Sequence, residues 1–258
     1  MRIALIVEYD GADFSGSQFQ LNTRTVQGEL ETAAATIFGE KSGRISLASR
    51  TDSGVHAFGQ VASLDVETRL SNEEMRHAMN GNLPSDLCVK LVKLVPANFD
   101  PRRNAVAREY RYAINDGPTH SPIRRRREYY VNRRLDVTAM ADAARNFTGV
   151  HDFASFAAST AHPVSTVRHV ESATVTRDTE DRIAFDIRAN AFVRQQIRRM
   201  VAALIAVGNG SKNEDWIVSL INHPRRDSAS QNAPPHGLTL MRVEYPTDLS
   251  LTLNPVVA

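Results

Sequence analysis

Cysteine is almost missing from this 258-residue chain. Cys88 stands alone, so no intramolecular disulfide can form and no cysteine-based zinc site is available. Long apolar runs are missing too: the longest, residues 200–207, falls far short of the ~20 residues needed to cross a bilayer. Residues 3–7 are apolar, but Glu8 and Asp10 follow at once, so no signal peptide is expected. These absences lead us to expect a reduced, cytoplasmic protein. The chain also lacks a Walker loop, G-x-G-x-x-G, H-E-x-x-H and G-x-S-x-G, which sets aside the common nucleotide-dependent, metalloprotease and serine hydrolase classes. His151-Asp152 is half of a metal pattern, with His56, His120 and His162 as further imidazoles. No ligand set at helix or strand spacing joins them, so no metal site is expected. Low-complexity segments and short solenoid repeats are missing as well. With 42% apolar and 23% charged residues, the composition is that of an ordinary folded protein.

Lysine is scarce. Lys41, Lys90, Lys93 and Lys212 are the whole set, and the other 27 of the 31 basic residues are arginine. Residues 101–134 hold ten arginines against three acids (Glu109, Asp116, Glu128), a local excess of +7 in a chain whose net charge is only +2. One basic stretch in a near-neutral chain suggests a directed anionic partner. Arginine suits one, with a planar fork for phosphate and a flat face for stacking on bases. Compositional bias and a solvated loop would produce the same stretch, so these facts leave both readings open.

Apolar periodicity organises the chain into two similar halves. In the first, a strand over residues 3–9 ends at Asp10-Gly11 and Thr25 caps a helix with Val26, Leu30, Ala33, Ala34, Ile37 and Phe38 on one face. Strands are expected over 45–48 and 59–66, and Ser71-x-x-Glu74 is a capping box with Leu70 and Met75 placed as its staple. A strand over 89–95 closes the half. In the second, a strand over 108–114 is followed by the arginine-rich loop and a helix capped by Asp136. Strands over 170–176 and 183–188, a helix from about Phe192 to Val207 ended by Gly208, a short helix over 215–221 and a strand over 238–245 complete it. The expectation is an α+β duplication split near residue 105, each half an open sheet with helices on one face. Residues 1–105 form an N-terminal domain and 106–258 a C-terminal one.

The most unusual stretch is Ser49-Arg50-Thr51-Asp52-Ser53-Gly54-Val55-His56-Ala57, a loop between strands that gathers a cation, a carboxylate, a turn glycine and a histidine. Strand-end loops are where a rigid scaffold presents reacting groups. Asp52 is a candidate nucleophile or base. Thr-Asp-Ser-Gly is equally good turn chemistry with no function, and composition alone favours that plainer reading.

Residues 50–57 resemble the signature of the tRNA pseudouridine synthase A family. The resemblance extends over nearly the whole chain. It includes Tyr9-Asp10-Gly11, Phe14, Gly16, Gln18 and Thr25-Val26-Gln27; Phe99, Arg102 and Arg108-x-Tyr110-x-Tyr112; and Thr148-Gly149-x-His151-Asp152-Phe153-x-x-Phe156. Further along it includes Asn190-Ala191-Phe192, Arg198 and Gly208-x-Gly210, then Ala233-Pro234-x-His236-Gly237-Leu238 and Val243-x-Tyr245-Pro246. The resemblance implies two ferredoxin-like or RRM-like α+β domains, with antiparallel sheets meeting at a central catalytic cleft. It also implies a homodimer, no organic cofactor, and isomerisation of uridine to pseudouridine at positions 38–40 of the tRNA anticodon stem-loop. Asp52 then matches the catalytic aspartate, Tyr110 the tyrosine beside the target uracil, and Arg198 the arginine that pairs with the aspartate. Arg50 and His56 are further substrate-binding candidates, and Arg124, Arg125, Arg126 and Arg127 are candidates for contact with the RNA backbone.

The chemistry agrees. Moving uracil from an N1–C1′ to a C5–C1′ bond changes neither atom count nor oxidation state, so it needs no redox cofactor, nucleotide or metal. A carboxylate either adds to C1′ or takes a sugar proton toward a glycal. A base drawn out of its stack is held by an aromatic ring, a contact worth roughly 1–3 kcal/mol. On residues alone, Tyr110 also reads as a core tyrosine and Arg198 as a solvated helix charge like Arg194 and Arg199. His151 and His236 read as structural hydrogen-bonders. Against the family pattern, Ser17 stands for the usual Trp and Ser49 for Gly; Gln196, Ala202, Asn232 and Thr239 are lesser departures. Ser17 is the one expected to change RNA contacts. Two other classes are consistent with the sequence: a non-catalytic RNA-binding protein of the same shape, and a carboxylate hydrolase of nucleosides or sugars using Asp10, Asp13 or Asp186 as its second carboxylate.

Overall fold

A computed structural model describes residues 1–39, 42–159 and 165–249. In chain order its elements are β1 (Arg2–Tyr9), α1 (Val26–Phe38), β2 (Ser46–Leu47), β3 (His56–Asp65), α2 (Asn72–Asn82) and β4 (Leu87–Leu94). Then come β5 (Ala107–Asn115), β6 (Tyr129–Tyr130), α3 (Val137–Arg145), β7 (Gly149–Asp152), β8 (Val167–Thr179) and β9 (Arg182–Ala189). The last are α4 (Gln196–Gly208), α5 (Glu214–Asn222) and β10 (Leu238–Glu244). The protein is therefore α+β, and its residues gather into two compact units. One runs over Met1–Arg108 and takes β10 back from Thr239; the other is Glu109–Leu238.

In the first unit β1 lies between β3 and β4, antiparallel to both. Ile3 to Val7 are all buried, the mark of a central strand covered on both faces. The helices start where side chains satisfy orphan backbone donors. Thr25 accepts the Gly28 N–H, and Ser71 and Glu74 form the full reciprocal box. Of the expected staple, Met75 is buried while Leu70 remains partly exposed.

The strands are mixed in direction, which corrects the expectation of wholly antiparallel sheets. β10 runs parallel to β3, with Thr239 beside His56 and Leu240 beside Ala57, and β6 runs parallel to β5. Parallel neighbours need long connections, and residues 116–128 supply one for β6. Gly59 allows β10 its approach, since a Cβ there would stand 2.6 Å from the Met241 carbonyl oxygen.

In the second unit the strand path is β5-β9-β8-β7. α3 packs on β8 and on α4, and Phe147, Phe153 and Phe156 meet edge to face or tilted in the core. Asp136 caps α3 as expected. The helix expected from Phe192 starts four residues late, at Gln196. Gln195 takes a left-handed conformation (φ 63°), and the Gln196 side chain accepts the Val193 N–H at 2.9 Å.

Candidate active site

Asp52 lies in the first unit, on a turn between β2 and β3. The turn closes where the Val55 N–H donates to the Asp52 carbonyl at 3.2 Å. Its third position, Gly54, has φ 81°, a conformation that only glycine adopts without strain. Arg50 is exposed and Asp52 half-buried, while Thr51 and Val55 on either side of the turn are buried.

Buried side chains from distant segments hold this loop. The β2–β3 ladder ends where Ala48 donates to Val61. From there the Gln60 side chain replaces a strand: its Oε1 accepts the Ser49 N–H at 3.1 Å and its Nε2 donates to the Ser49 carbonyl at 2.8 Å. The Arg108 guanidinium, also buried, donates to the carbonyl of Arg102 at 2.6 Å and reaches that of Ala48 at 3.4 Å. The Thr51 hydroxyl bonds the Tyr9 hydroxyl at 2.8 Å. Gln60→Leu fills the space but strands both polar groups of Ser49. The expected cost is about 2–4 kcal/mol, read as a lower urea midpoint at unchanged slope.

Beneath the turn runs the segment from Asp10 to Ser17. His56 is buried, and its Nδ1 accepts the Gly11 N–H at 3.0 Å with Asp10 Oδ1 3.1 Å away. This ring, a sequence-predicted substrate-binding residue, is engaged with the Asp10–Gly11 turn. The Ser53 hydroxyl donates to the Phe14 carbonyl. Ser17, expected to alter RNA contacts, is fully buried and lies against Thr51.

Arg24 braces the same segment. Its backbone carbonyl takes the Ser15 N–H, and its guanidinium lies 4.2 Å above the Phe14 ring and forks onto Asp86 at 2.7 and 2.8 Å. That hydrogen bond, against the opposing effect of partial burial, holds the Asp86 carboxyl below its usual range and raises Arg24. A depressed carboxylate stabilises the fold above its unfolded pKa, and that contribution disappears as pH falls through the folded one. Asp86→Asn is therefore expected to cost about 1 kcal/mol at neutral pH, the upper end for a partly exposed pair. The two proteins' unfolding midpoints should converge as the pH drops below the carboxylate range.

Tyr110 and Arg198 lie in the second unit. Tyr110 is buried in β5, edge to face with Phe192 at 5.3 Å. Arg198 is half-buried on α4; its Nε donates to the Ala233 carbonyl at 2.8 Å while its own carbonyl accepts the Ala233 N–H at 3.0 Å. The next residue, Pro234, accepts from the Tyr112 hydroxyl at 2.8 Å. Burial and the neighbouring Tyr129 push that phenol far above its usual range, with Arg198 opposing, so Tyr112 is a fixed donor rather than an acid. Tyr112 and Arg198 thus pin the loop at 233–237, and Tyr129 meets His236 edge to face. No spacing in the sequence pointed to this role for Tyr112.

Arg124, Arg125, Arg126 and Arg127 are all exposed on the β5–β6 connection. Arg124 donates to the buried carboxylate of Glu128 at 3.1 Å, which anchors the turn beneath them. Arg199 departs from its expected solvated state. It is buried, donates to the Ala157 carbonyl and pairs with Asp227 at 2.8 Å. His151 is engaged with the Thr148 carbonyl, and Asp152 accepts from Ala154 and Thr166. His162 lies outside the described residues. Among the described residues no group of three or more His, Cys, Asp or Glu is placed to hold a metal, and no helix is long and apolar enough to cross a membrane.

Comparison with known proteins gives the family. A family model described as "tRNA pseudouridine synthase" matches residues 5–102 and 143–246, which include Asp52 and Arg198. The tRNA pseudouridine synthase A of Roseiflexus castenholzii is 44% identical over 259 residues, covering 99% of this chain and 95% of the relative. That of Roseiflexus sp. (strain RS-1) is 45% identical, covering 95% and 91%. That of Halalkalibacterium halodurans is 39% identical, covering 92% and 90%. Likeness of this extent, along both chains, means that the chain belongs to the tRNA pseudouridine synthase A family and has that family's activity, an isomerase acting as a tRNA pseudouridine synthase.

Proposed function

We propose that this enzyme converts uridine to pseudouridine at positions 38–40 of the tRNA anticodon stem-loop, with Asp52 as its catalytic carboxylate. The observation that carries the assignment is the framing of the 49–55 turn. A half-buried carboxylate follows a residue whose backbone and side chain are both tied down, on a loop the family match covers. The reaction breaks N1–C1′ and forms C5–C1′; the C5 proton leaves to solvent and N1 regains one. Asp52 either bonds C1′ as uracil departs or accepts a sugar proton on the way to a glycal. Tyr110 and Arg198 bind the substrate, Tyr110 by stacking on the extruded uracil. Arg50 contacts the substrate, and His56 holds the turn from beneath. Arg124 to Arg127 meet phosphates, which suits an exposed run of forks. In this reading each unit is a ferredoxin-like half, and the enzyme works as a cytoplasmic homodimer.

Tritium release from a transcript labelled at uridine C5 tests the proposal. Release is expected from a transcript with uridine at 38–40 and from none in which those positions are cytidine. Binding without release would make the protein an RNA-binding module. Turnover of free uridine would point to a nucleoside hydrolase.

A further inference from the structure

We infer that Ser17 is a positioning residue for catalysis, acting on Asp52 through the backbone of Thr51; the inference rests on the role proposed for Asp52. Ser17 is fully buried. Its N–H donates to the Thr51 carbonyl at 3.1 Å, and its Oγ accepts the Thr51 N–H at 2.8 Å. One residue thus engages both polar groups of another, as in a strand ladder, with a hydroxyl standing in for one backbone carbonyl. The Ser17 carbonyl is free for a third bond and takes the Gln27 N–H in the first turn of α1 at 2.9 Å. α1 therefore acts as a fixed post to which Thr51 is tied.

The ties at Thr51 set where the chain enters Asp52. The neighbouring contacts fix other parts of the turn: Gln60 holds Ser49, and Ser53 holds Phe14. The Thr51 N–H is held by Ser17 Oγ. Without that oxygen a buried donor loses its acceptor, and the backbone must shift to find another. A shift of about 1 Å in a reacting group costs on the order of 10²-fold in rate.

The test compares wild type, Ser17→Ala and Ser17→Thr in tritium release at saturating tRNA, with tRNA affinity and thermal melting measured on the same preparations. Ser17→Ala is expected to lower the rate about 10²-fold while affinity stays within about twofold. Ser17→Thr, which keeps the oxygen, should recover most of the rate. An unchanged rate in Ser17→Ala overturns the inference. So does a fall in rate, affinity and melting temperature together that disappears when the assay is run well below the variant's melting temperature, because the hydroxyl would then serve stability alone. If Ser17→Thr does not fold by melting, the Ser17→Ala rate-to-affinity split decides. A silent wild type would instead remove the reaction itself, and this inference with it.

Discussion

Asp52→Asn is expected to lose at least about 10³-fold in tritium release while binding tRNA as tightly as wild type. Asparagine fills the same volume and can keep the turn, because the Val55 N–H uses the Asp52 carbonyl and not its side chain. Two capacities are lost: addition to C1′ with departure of a carboxylate, and acceptance of a sugar proton. Both proposed routes need one of them, so the variant fails whichever the enzyme follows. Single-turnover release, with filter binding on the same transcript, separates the outcomes. Release at the wild-type rate would unseat Asp52 and leave the enzyme in place. Loss of binding together with release would mean that the carboxylate supports the loop rather than the chemistry.

The second large effect is expected at Gly11, away from the reacting groups. A Cβ there would lie 2.0 Å from the Val55 carbonyl oxygen and 2.5 Å from its carbon. Both are backbone atoms of the turn that carries Asp52, so no side chain can swing aside. Gly11→Ala must push the Asp10–Gly11 turn away from Val55 and weaken the Gly11 N–H bond to His56. A loss of about 3 kcal/mol or more is expected, beyond ordinary overpacking. Gly39→Ala is the contrast: its φ of 82° is strained for alanine, but nothing lies within 4 Å of the added carbon. That strain alone costs about 1–2 kcal/mol. Urea unfolding of the two variants checks the difference, and equal losses would mean that the turn accommodates the methyl by moving.

What could be read from the sequence was what local rules govern. The Thr25 and Ser71 caps act over three residues, and both are formed as expected. The start of α4 was misplaced because Gln195 gives no outward sign of a left-handed conformation. The short β6 and β7 carry too few residues for a period, and each is fixed by the strand it pairs with. Ser17 and Thr51 are 34 residues apart and Arg199 and Asp227 are 28 apart, so no pattern of spacing announces either pair. The residues alone also left Asp52 as a plain turn and Arg198 as a surface charge. Family resemblance gave them roles.

The parallel pairing of β10 with β3 ties the completion of the Asp52 loop's base to the order of synthesis. β3 is complete by Asp65, but the strand that lies beside its His56–Ala57 end begins at Leu238. At ribosomal speeds of roughly 5–20 residues per second, the wait is about 9–35 seconds. Throughout that interval residues 109–238, the whole second unit, are being made. The base of the Asp52 turn meanwhile has an open strand edge, the kind that invites pairing with other chains. Translation thus acts as a timer: a nascent chain carries Asp52 early but lacks, until residue 238 onward is made, the strand that lies beside the base of its loop.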